Sequence, residues 1–476
     1  MGTMSLVKPN LHRIDVDARQ MLFHVPSSSI FELDELSREM LGVFDQHDRV
    51  TDELLAPLVS RFGREGLDEA LAEFKALEMI VDEGVVARIN ATPQKVTKFP
   101  LTTVVLNVNT GCNLSCTYCY KEDLTIPSKG ELMGYDTAIQ SVEMLLRESP
   151  DQARYNVVFF GGEPLSNMPL IRGVVDYCEE RFAALDATVD FTLTTNATLL
   201  NEKLIDWFNA HRFGLTISMD GPKAMHDKNR ITVGGQGTYD VVKRKVELLL
   251  SRYTARPVGC RVTLTRGVTD VERIFDHLYH ELGFAEVGFG PVTSGDIEEY
   301  NLTADEQLEV FAGMKRLGLK YLEAASRGEN FGFGNMHQML TDMYEGNKKL
   351  LPCGAGVGLL AVDKDGGLNL CHRFTGSDMP LFGNVKTGID KPRLAEFVEQ
   401  RLDRSNTGCE TCRIRNLCSG GCYHESYAKY GDPSRPAYHY CDLLRDWIDY
   451  GVEVYSRIML RNPGFFEAYV SPRRSA

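Results

Sequence analysis

The sequence predicts an α/β protein built on a partial (β/α)6 barrel, with a small domain before the barrel and a cysteine-rich domain after it. Six short β-rich runs alternate with helical patterns over residues 99–302, an order typical of parallel strands. Residues 1–98 carry their own apolar pattern of strands followed by helices. Residues 351–476 are rich in Gly and Cys and show little periodicity. These three sequence patterns define the predicted architecture.

The domain predicted at residues 1–98 begins with two extended runs, HRIDV and MLFHV, and continues with three amphipathic helices. This strand, strand, helix, helix, helix order resembles a winged helix-turn-helix. It is also similar to the peptide-recognition domain that precedes many peptide-modifying enzymes. The three apolar helix faces consist of Leu36, Met40, Val43 and Phe44, then Leu54, Leu55, Leu58, Val59 and Phe62, and then Leu67, Leu71, Phe74 and Leu77.

The barrel predicted at residues 99–302 contains six β/α units. Because strands that alternate with helices run parallel, we expect ligand chemistry to gather at the carboxyl ends of the strands. Residues 303–350 are predicted to form helices that bridge the barrel and the C-terminal domain. The six predicted strands are LTTVVLNVN, YNVVFFGG, DFTLTTN, GLTISMD, CRVTLT and EVGFGPV.

Three cysteines follow the first predicted strand in a C-x3-C-x2-C loop formed by Cys112, Cys116 and Cys119. Soft thiolates bind iron–sulfur clusters or zinc. A cubane cluster has four irons, so three ligands leave one iron open for chemistry. A zinc loop whose fourth ligand is distant is the alternative interpretation of the same spacing.

Polar and glycine residues stand at the ends of the next three strands. Gly161 and Gly162 allow close backbone approach, and the Glu163 carboxylate can accept from an ammonium group. The guanidinium of Arg230 suits a carboxylate. The residues in question are Gly161-Gly162-Glu163-Pro164, Thr194-Thr195-Asn196, Ser218-Met219-Asp220-Gly221-Pro222 and Lys228-Asn229-Arg230.

Together these motifs resemble the radical S-adenosylmethionine (SAM) superfamily over roughly residues 101–300. The resemblance implies a catalytic [4Fe-4S] cluster on Cys112, Cys116 and Cys119 whose open iron binds SAM. It also implies that SAM cleavage yields a 5′-deoxyadenosyl radical that abstracts hydrogen. The SAM contacts implied in this way are Tyr118, Gly161, Gly162, Glu163, Pro164, Thr194, Asn196, Ser218, Asp220 and Arg230.

Seven more cysteines follow in the order Cys353-x12-Gly366-x4-Cys371 and Cys409-x2-Cys412-x5-Cys418-x3-Cys422-x18-Cys441. This spacing resembles the SPASM domain of peptide-modifying radical SAM enzymes. The resemblance implies a first auxiliary cluster on Cys353, Cys371 and Cys422, and a second on Cys409, Cys412, Cys418 and Cys441, and so three [4Fe-4S] clusters in all. Zinc remains an alternative in this region, because C-x2-C pairs are common in zinc knuckles.

Position 359 departs from the pattern of the related anaerobic sulfatase maturases. Those enzymes have an eighth cysteine six residues after the first, where this chain has Leu359. The first auxiliary cluster is therefore expected to have an open iron, a noncysteine ligand or a site for a substrate thiolate. The two remaining cysteines, Cys178 and Cys260, fit no motif and are predicted to be small core residues.

The N-terminal domain and the motifs CNLSCTYCYKED, FFGGEPL and DGPKAMHDKNR resemble most the maturation enzymes of quinohemoprotein amine dehydrogenase. That resemblance implies an enzyme that joins Cys sulfurs to Asp or Glu methylene carbons in the γ subunit of that dehydrogenase. The expected partners are a leader-bearing peptide and a flavodoxin- or ferredoxin-like electron donor. Alternatives are another SPASM maturase that forms a different thioether or a carbon–carbon link, and sulfatase-type oxidation of Ser or Cys.

Composition disfavours other partners. A net charge of −14 argues against nucleic acid or anionic membrane as the main partner. Residues 51–83 hold nine acids and three bases, so a DNA-binding redox regulator is a remote alternative. The absence of an apolar signal or membrane-length run favours the cytoplasm, where reduced cysteines serve as metal ligands. No general base can be chosen among Glu122, Asp123, Asp403 and other carboxylates.

Overall fold

The computed structural model describes residues 2–87, 89, 95–120, 130–293, 298–437 and 440–470. The N-terminal part contains a three-stranded antiparallel sheet in the order β2-β3-β4, a small β1–β5 pair and three helices. The elements are β1 (Met4–Leu6), β2 (Leu11–Val16), β3 (Arg19–His24), β4 (Ser29–Glu32), α1 (Glu35–Gln46), α2 (Asp52–Phe62), α3 (Arg64–Ala76) and β5 (Ile80–Asp82).

The predicted strand HRIDV lies within β2, MLFHV lies within β3 except for its last residue, Val25, and the three predicted helices are present. Helix α1 starts where the Asp34 carboxylate accepts a hydrogen bond from the Ser37 amide, which satisfies one of the free amides of the first turn. The predicted apolar faces meet in one core around Met40, Phe44 and Leu67, each at most 1% exposed. Strands β1, β4 and β5 were not predicted, because runs of three or four residues carry no readable alternation.

The barrel contains six parallel strands paired in sequence order, which confirms the six β/α units. Buried positions alternate along β7, β9 and β10, so one face of these strands packs on helices and the other lines the interior, whereas β6 is buried on both faces. The strands are β6 (Thr103–Asn109), β7 (Arg154–Gly161), β8 (Thr188–Thr195), β9 (Gly214–Ser218), β10 (Gly259–Leu264) and β11 (Glu286–Pro291). The helices are α4 (Tyr135–Glu148), α5 (Met168–Ala183), α6 (Glu202–Ala210), α7 (Lys223–Asn229), α8 (Tyr239–Arg252) and α9 (Val271–Phe275), with a π-turn at Asp276–Glu281.

Two helices follow the barrel, as expected for residues 303–350: α10 (Ala304–Ser326) and α11 (Gly334–Tyr344). Thr303 and Glu306 form a capping box that starts α10, because each side chain accepts from the other residue's amide. Helix α11 packs against β11, and α10 packs against the long C-terminal helix. The bridge therefore joins the open edge of the barrel to the C-terminal region.

The C-terminal region is joined to the barrel sheet, which was not predicted. Its first strand pairs in parallel with β6, with Leu359 opposite Thr103, and a short second strand extends the sheet to eight strands. Among the described residues, no helix is long and apolar enough to cross a membrane. The elements are β12 (Leu359–Val362), β13 (Leu368–Asn369), β14 (Gly383–Asn384), β15 (Gly388–Ile389), α12 (Lys391–Leu402), α13 (Tyr423–Tyr430), α14 (Cys441–Arg461) and α15 (Gly464–Tyr469).

Candidate active site at the carboxyl ends of the barrel strands

The loop Cys112–Cys119, hereafter the cluster loop, is held by main-chain pairing with the segment that follows α7. The Ser115 amide donates to the Ile231 carbonyl at 2.9 Å, and the Thr117 amide donates to the Asn229 carbonyl at 3.0 Å. The Thr117 hydroxyl also donates to the Asn229 side-chain oxygen at 2.9 Å. The loop is thus fixed by the backbone of the barrel, independently of its thiols.

The glycines after β7 allow the cluster loop to lie directly on the end of the neighbouring strand. The Glu163 amide donates to the Gly111 carbonyl at 3.0 Å, and the Gly162 amide donates to the Asn109 carbonyl at 2.7 Å. A Cβ atom at Gly162 would lie 2.0 Å from the Gly111 carbonyl oxygen. The close approach predicted for these glycines is therefore made by the backbone that carries the cysteines.

The three thiols of the cluster loop lie within electrostatic range of one another. Burial raises the pKa of Cys116 to about 12, and the positive charge of Arg230 acts in the opposite direction. Burial also raises the pKa of Cys112. A metal ion that displaces these protons would restore the thiolate form that ligation requires.

Zinc and a cubane cluster require different spacings of their thiolates. A tetrahedral zinc with bonds of about 2.3 Å would draw its thiolates to within roughly 4 Å of one another. A cubane accepts each thiolate on a separate iron and so tolerates wider spacing. Three soft thiolates on one loop fit a cubane cluster.

Glu163 ties the ends of β7 and β8 together from a buried position. One of its carboxylate oxygens, Oε1, accepts from the Thr195 hydroxyl at 2.6 Å and the Leu165 amide at 3.0 Å, and the other accepts from the Asn196 amide at 2.9 Å. Burial raises its pKa to about 6, although these hydrogen bonds favour the charged form. The carboxylate that was expected to face an ammonium is thus engaged with three donors of the protein itself.

Asn196 lies against the first cysteine of the cluster loop. Its side-chain amide approaches the Cys112 sulfur at 3.7 Å and donates to the Asn113 side-chain oxygen at 3.0 Å. Its own side-chain oxygen accepts from the Thr198 amide and hydroxyl, at 3.0 and 2.6 Å. Asn196 therefore lies beside the cluster loop and helps to position it.

Asp220, at the end of β9, is the centre of a buried polar network. It accepts from the Tyr118 hydroxyl at 2.6 Å, from Nε of Arg230 at 2.8 Å and from the Thr263 amide at 2.9 Å. Arg230 is only 7% exposed, and its guanidinium lies 5.5 Å from the centre of the Tyr118 ring. The guanidinium predicted to meet a ligand carboxylate is paired here with Asp220.

The other predicted contacts flank this network. Thr194 and Ser218 are half-buried and alternate with the fully buried Leu193 and Ile217, so both lie on the interior face of the barrel. Pro164 begins a short 3-10 helix at the end of β7. Of the carboxylates considered as general bases, Glu122 and Asp123 lie outside the described residues. Asp403, at the end of α12, accepts hydrogen bonds from the Ser405 amide and hydroxyl.

The C-terminal cysteines lie in two groups, hereafter the first and second auxiliary sets. Cys353, Cys371 and Cys422, the first auxiliary set, lie within electrostatic range of one another, and burial raises the pKa of Cys371 to about 12. A cavity of about 390 Å³ is lined by the second auxiliary set. That set consists of Cys409, Cys412, Cys418 and Cys441.

Leu359 and the two unassigned cysteines pack among apolar residues of the main hydrophobic core. Leu359 is the first residue of β12 and packs at the edge of the main hydrophobic core. Cys178 is fully buried in α5, and Cys260 is 3% exposed in β10, which confirms both as core residues. The strand position of Leu359 explains why an apolar residue is accommodated there.

Several site residues were missed by sequence patterns. Tyr120 follows the last cysteine of the cluster loop, and its ring lies 5.3 Å from the guanidinium of Arg373, two residues after Cys371. His424 packs edge-on against the same ring at 5.5 Å. Arg261 lies in β10, within the run CRVTLT. A charged residue inside a predicted barrel strand is the sequence feature that could have indicated it.

A comparison with known protein families decides the nature of this site. Residues 106–278 match the radical SAM superfamily. The chain contains a radical SAM domain. It is therefore an enzyme, and this domain implies a [4Fe-4S] cluster and SAM as cofactors.

Proteins similar to this chain match it over most of its length. It is 25% identical over 382 residues, 74% of this chain and 96% of the relative, to the cysteine-type anaerobic sulfatase-maturating enzyme of Clostridium perfringens. The solved structure of anSMEcpe with bound AdoMet and Cp18Cys peptide covers 78% of this chain and 99% of its own, at a TM-score of 0.60 and 20% identity. Streptococcus suis SuiB bound to precursor peptide SuiA covers 92% of this chain and 99% of its own, at a TM-score of 0.52 and 15% identity.

Proposed function

We propose that this radical SAM enzyme modifies a peptide or small protein by forming thioether bonds between Cys sulfurs and Asp or Glu methylene carbons. The proposed substrate is the γ subunit of quinohemoprotein amine dehydrogenase. One contact carries the proposal: Tyr120, beside Cys119, meets Arg373, two residues after Cys371. Tyr120 lies within electrostatic range of both Cys119 and Cys371, so the cluster loop and the first auxiliary set are neighbours. The space between them, hereafter the chamber, is where the peptide is proposed to bind.

The cofactor assignment follows the grouping of the thiols. Cys112, Cys116 and Cys119 would hold the SAM cluster, with Tyr118, Asn196 and the residues at the ends of β7, β8 and β9 around SAM. The two auxiliary sets would each hold a further [4Fe-4S] cluster. About twelve irons per chain are expected, four for each cubane. Stoichiometric zinc with only one cluster would contradict this assignment.

The chemistry requires both ends of the chamber. When bound to its cluster, SAM supplies a 5′-deoxyadenosyl radical that takes one hydrogen atom from a substrate carbon. Formation of the sulfur–carbon bond would then release the thiol proton and one electron. An oxidised auxiliary cluster held by Cys353, Cys371 and Cys422 would accept that electron, and the product would have lost two hydrogens. The residues of this chain hold the peptide carbon near the cluster loop and its sulfur towards the auxiliary sets, and they keep water away.

A peptide substrate is also supported by the relatives and by the N-terminal part of the chain. Two similar structures hold peptides, Cp18Cys and SuiA. The match to the Clostridium perfringens enzyme leaves about a quarter of this chain uncovered. In the N-terminal sheet, β4 is a terminal strand, and a leader peptide could extend that sheet by one strand.

Sulfatase-type oxidation is the second candidate, favoured by the 25% identity to the cysteine-type anaerobic sulfatase-maturating enzyme of Clostridium perfringens. The position of Leu359, where sulfatase maturases have a cysteine, disfavours it. A DNA-binding role has no support in the polar network around the cluster loop.

The decisive experiment uses the anaerobically reconstituted enzyme with SAM and a flavodoxin or ferredoxin reductant. We expect the γ-subunit polypeptide to lose about 2 Da for each crosslink and to lose one alkylatable thiol at the same time. A sulfatase-type peptide would instead gain a carbonyl that reacts with a hydrazide. Consumption of SAM with an unchanged γ-subunit mass and an oxidised sulfatase-type peptide would overturn the thioether proposal.

A further inference from the structure

Arg261 projects from β10 into the barrel interior. Its neighbours Cys260 and Val262 are buried on the opposite face, among the helices. The guanidinium crosses the next strand, β11, at two glycines: a Cβ atom at Gly290 would lie 2.1 Å from Nη2, and one at Gly288 would lie 3.6 Å from Nη1. The two glycines of EVGFGPV therefore provide the space that the guanidinium occupies.

Arg373 approaches the same space from the C-terminal region. It follows Cys371 in a short 3-10 helix, donates to the Thr293 hydroxyl just beyond β11, and lies over the Tyr120 ring. Its guanidinium is thus held between the cluster loop and the first auxiliary set. Residues from three separate parts of the chain fix its position.

In the part of the chain that the structure describes, neither guanidinium is paired with a carboxylate. Arg261 makes no ion pair there, and the hydrogen bond of Arg373 goes to a hydroxyl. Burial lowers the pKa of Arg261, and the positive charge of Arg373 lowers it further. By contrast, Arg230 in the same barrel is paired with Asp220. Although protein atoms enclose Arg261, its side chain is exposed to the adjoining cavity, so an anion that enters the cavity can reach it.

The cavity beside Arg261 has a volume of about 390 Å³, and it contains two carboxylates of its own. Asp342 is paired there with Lys349 at 3.2 Å. The two guanidinium groups give this side of the barrel interior a positive charge that attracts an anionic ligand. A guanidinium fork suits a carboxylate, which it can bind through two parallel hydrogen bonds.

We propose that Arg261 and Arg373 form a subsite that binds the side-chain carboxylate of a substrate Asp or Glu. Binding there places the adjacent methylene group between the cluster loop, through Tyr120, and the first auxiliary set. The subsite determines which residue of the peptide is attacked, because a neutral amide would leave both guanidinium charges unpaired. This inference rests on the proposed function and gives it specific residues.

The main test compares two peptides with the holoenzyme, identical except for Asp or Asn at the crosslinked position. Wild-type enzyme is expected to bind and crosslink the Asp peptide about 100-fold better than the Asn peptide. Arg261→Gln and Arg373→Gln should reduce that ratio to within about threefold, and Arg261→Lys should give an intermediate ratio because it keeps the charge without the fork. Arg256→Gln is the matched control, since Arg256 is paired with Asp190 at the other end of the barrel.

A second measurement keeps this inference separate from the proposed function. Isothermal titration of the SAM-loaded holoenzyme with glutarate and its neutral analogue glutaramide requires no crosslinking. Wild-type enzyme should bind glutarate at least about tenfold more tightly, and the Arg261→Gln/Arg373→Gln double variant should lose that preference. If wild-type enzyme crosslinks neither peptide but prefers glutarate, the thioether proposal fails and the subsite stands.

Two outcomes would overturn the subsite. One is an unchanged Asp-to-Asn ratio in variants that keep their iron content and absorption spectrum. The other is that same unchanged ratio together with altered paramagnetic resonance of a reduced auxiliary cluster. In the second case the two arginines would neutralise the negative charge of the cluster and its thiolates, and would not bind the substrate.

Discussion

The cluster loop and the segment that carries the second auxiliary set solve the same problem, the placement of several thiols, in different ways. The cluster loop lies on the ends of barrel strands and is fixed by main-chain hydrogen bonds to Asn229 and Ile231, and the Gly111 carbonyl just before it accepts from the Glu163 amide. Over the described part of residues 403–440, the regular structure consists of α13. The first arrangement is organised by the sheet, whereas the second needs other support.

That support comes from buried arginines. Arg401, 2% exposed at the end of α12, donates to five main-chain carbonyls, and Arg404 donates to three. A guanidinium offers five donors in a rigid fork, so one side chain can organise a segment that lacks a helix or sheet. The carbonyls bound by Arg401 are those of Ser419, Gly420, Gly421, Ser434 and Arg435. The comparison indicates a preformed loop in the barrel and a metal-dependent segment at the C-terminus.

The largest expected effect is a difference in thermal stability when the thiols of each region are removed in turn. Cys112→Ala/Cys116→Ala/Cys119→Ala should reduce SAM cleavage to background while the melting temperature stays within about 3 °C, because backbone bonds hold the loop. Cys409→Ala/Cys412→Ala should lower the melting temperature by more than about 5 °C and expose residues 403–440 to protease, because metal binding supplies folding free energy there. Iron content, calorimetry and limited proteolysis measure these effects.

Cys178→Ala provides the control for loss of a thiol outside both regions. It creates a small cavity in α5 and should leave iron content and SAM cleavage unchanged. Equal loss of thermal stability in the two multiple variants would show that both regions depend on metal to the same degree, and the comparison would then be wrong.

The contrast also explains how much could be predicted from the sequence. The six strands and the cysteine spacings could be predicted, because alternation and fixed ligand spacing are local signals. The parallel pairing of β12 with β6 could not, since a four-residue strand has no local signature and pairs with a strand about 250 residues away.

The site residues divide in the same way. Motif positions such as Asn196 and Asp220 could be located, but their partners could not: Arg230 meets Asp220, and Glu163 meets Thr195, only once the strand ends converge. Arg401 had no motif, because a guanidinium bound to carbonyls is defined by tertiary structure alone. The sequence therefore predicts candidate ligands, but it does not predict the residues that hold the loops carrying them.

A smaller effect is expected from Arg401 itself. Arg401→Ala leaves several buried carbonyls without donors and should lower the free energy of unfolding of the C-terminal region by about 3 kcal/mol. Arg401→Lys should recover part of this, since an ammonium reaches fewer carbonyls. Hydrogen exchange of residues 403–437 measures the effect.

Arg393→Ala on the same helix is the matched control. Arg393 is 54% exposed and pairs with Asp390, so its loss should change stability by less than about 0.5 kcal/mol. A similar effect from both substitutions would remove the argument that buried arginines organise this segment.

The smallest expected effect is a loss of stability at low pH that arises in the barrel. His226 is buried, accepts from the Asp220 amide at 3.3 Å and contacts the Thr238 hydroxyl at 3.0 Å. Burial lowers the pKa of His226 from 6.5 to about 4, and the charge of Arg230 contributes. Because the folded pKa lies below the unfolded one, this contribution is complete above pH 6.5 and is lost as the pH falls towards 4.

Between pH 7 and pH 5.5 the loss from His226 should be about 1 kcal/mol, or roughly 1–2 °C in melting temperature. His226→Gln, which cannot gain a proton in this range, should show a pH dependence smaller by that amount. His280→Gln, at an exposed histidine, should keep the wild-type dependence. An identical pH dependence in wild-type and His226→Gln enzyme would mean that acid acts elsewhere, and that the network around Asp220 is not the acid-sensitive support of the cluster loop.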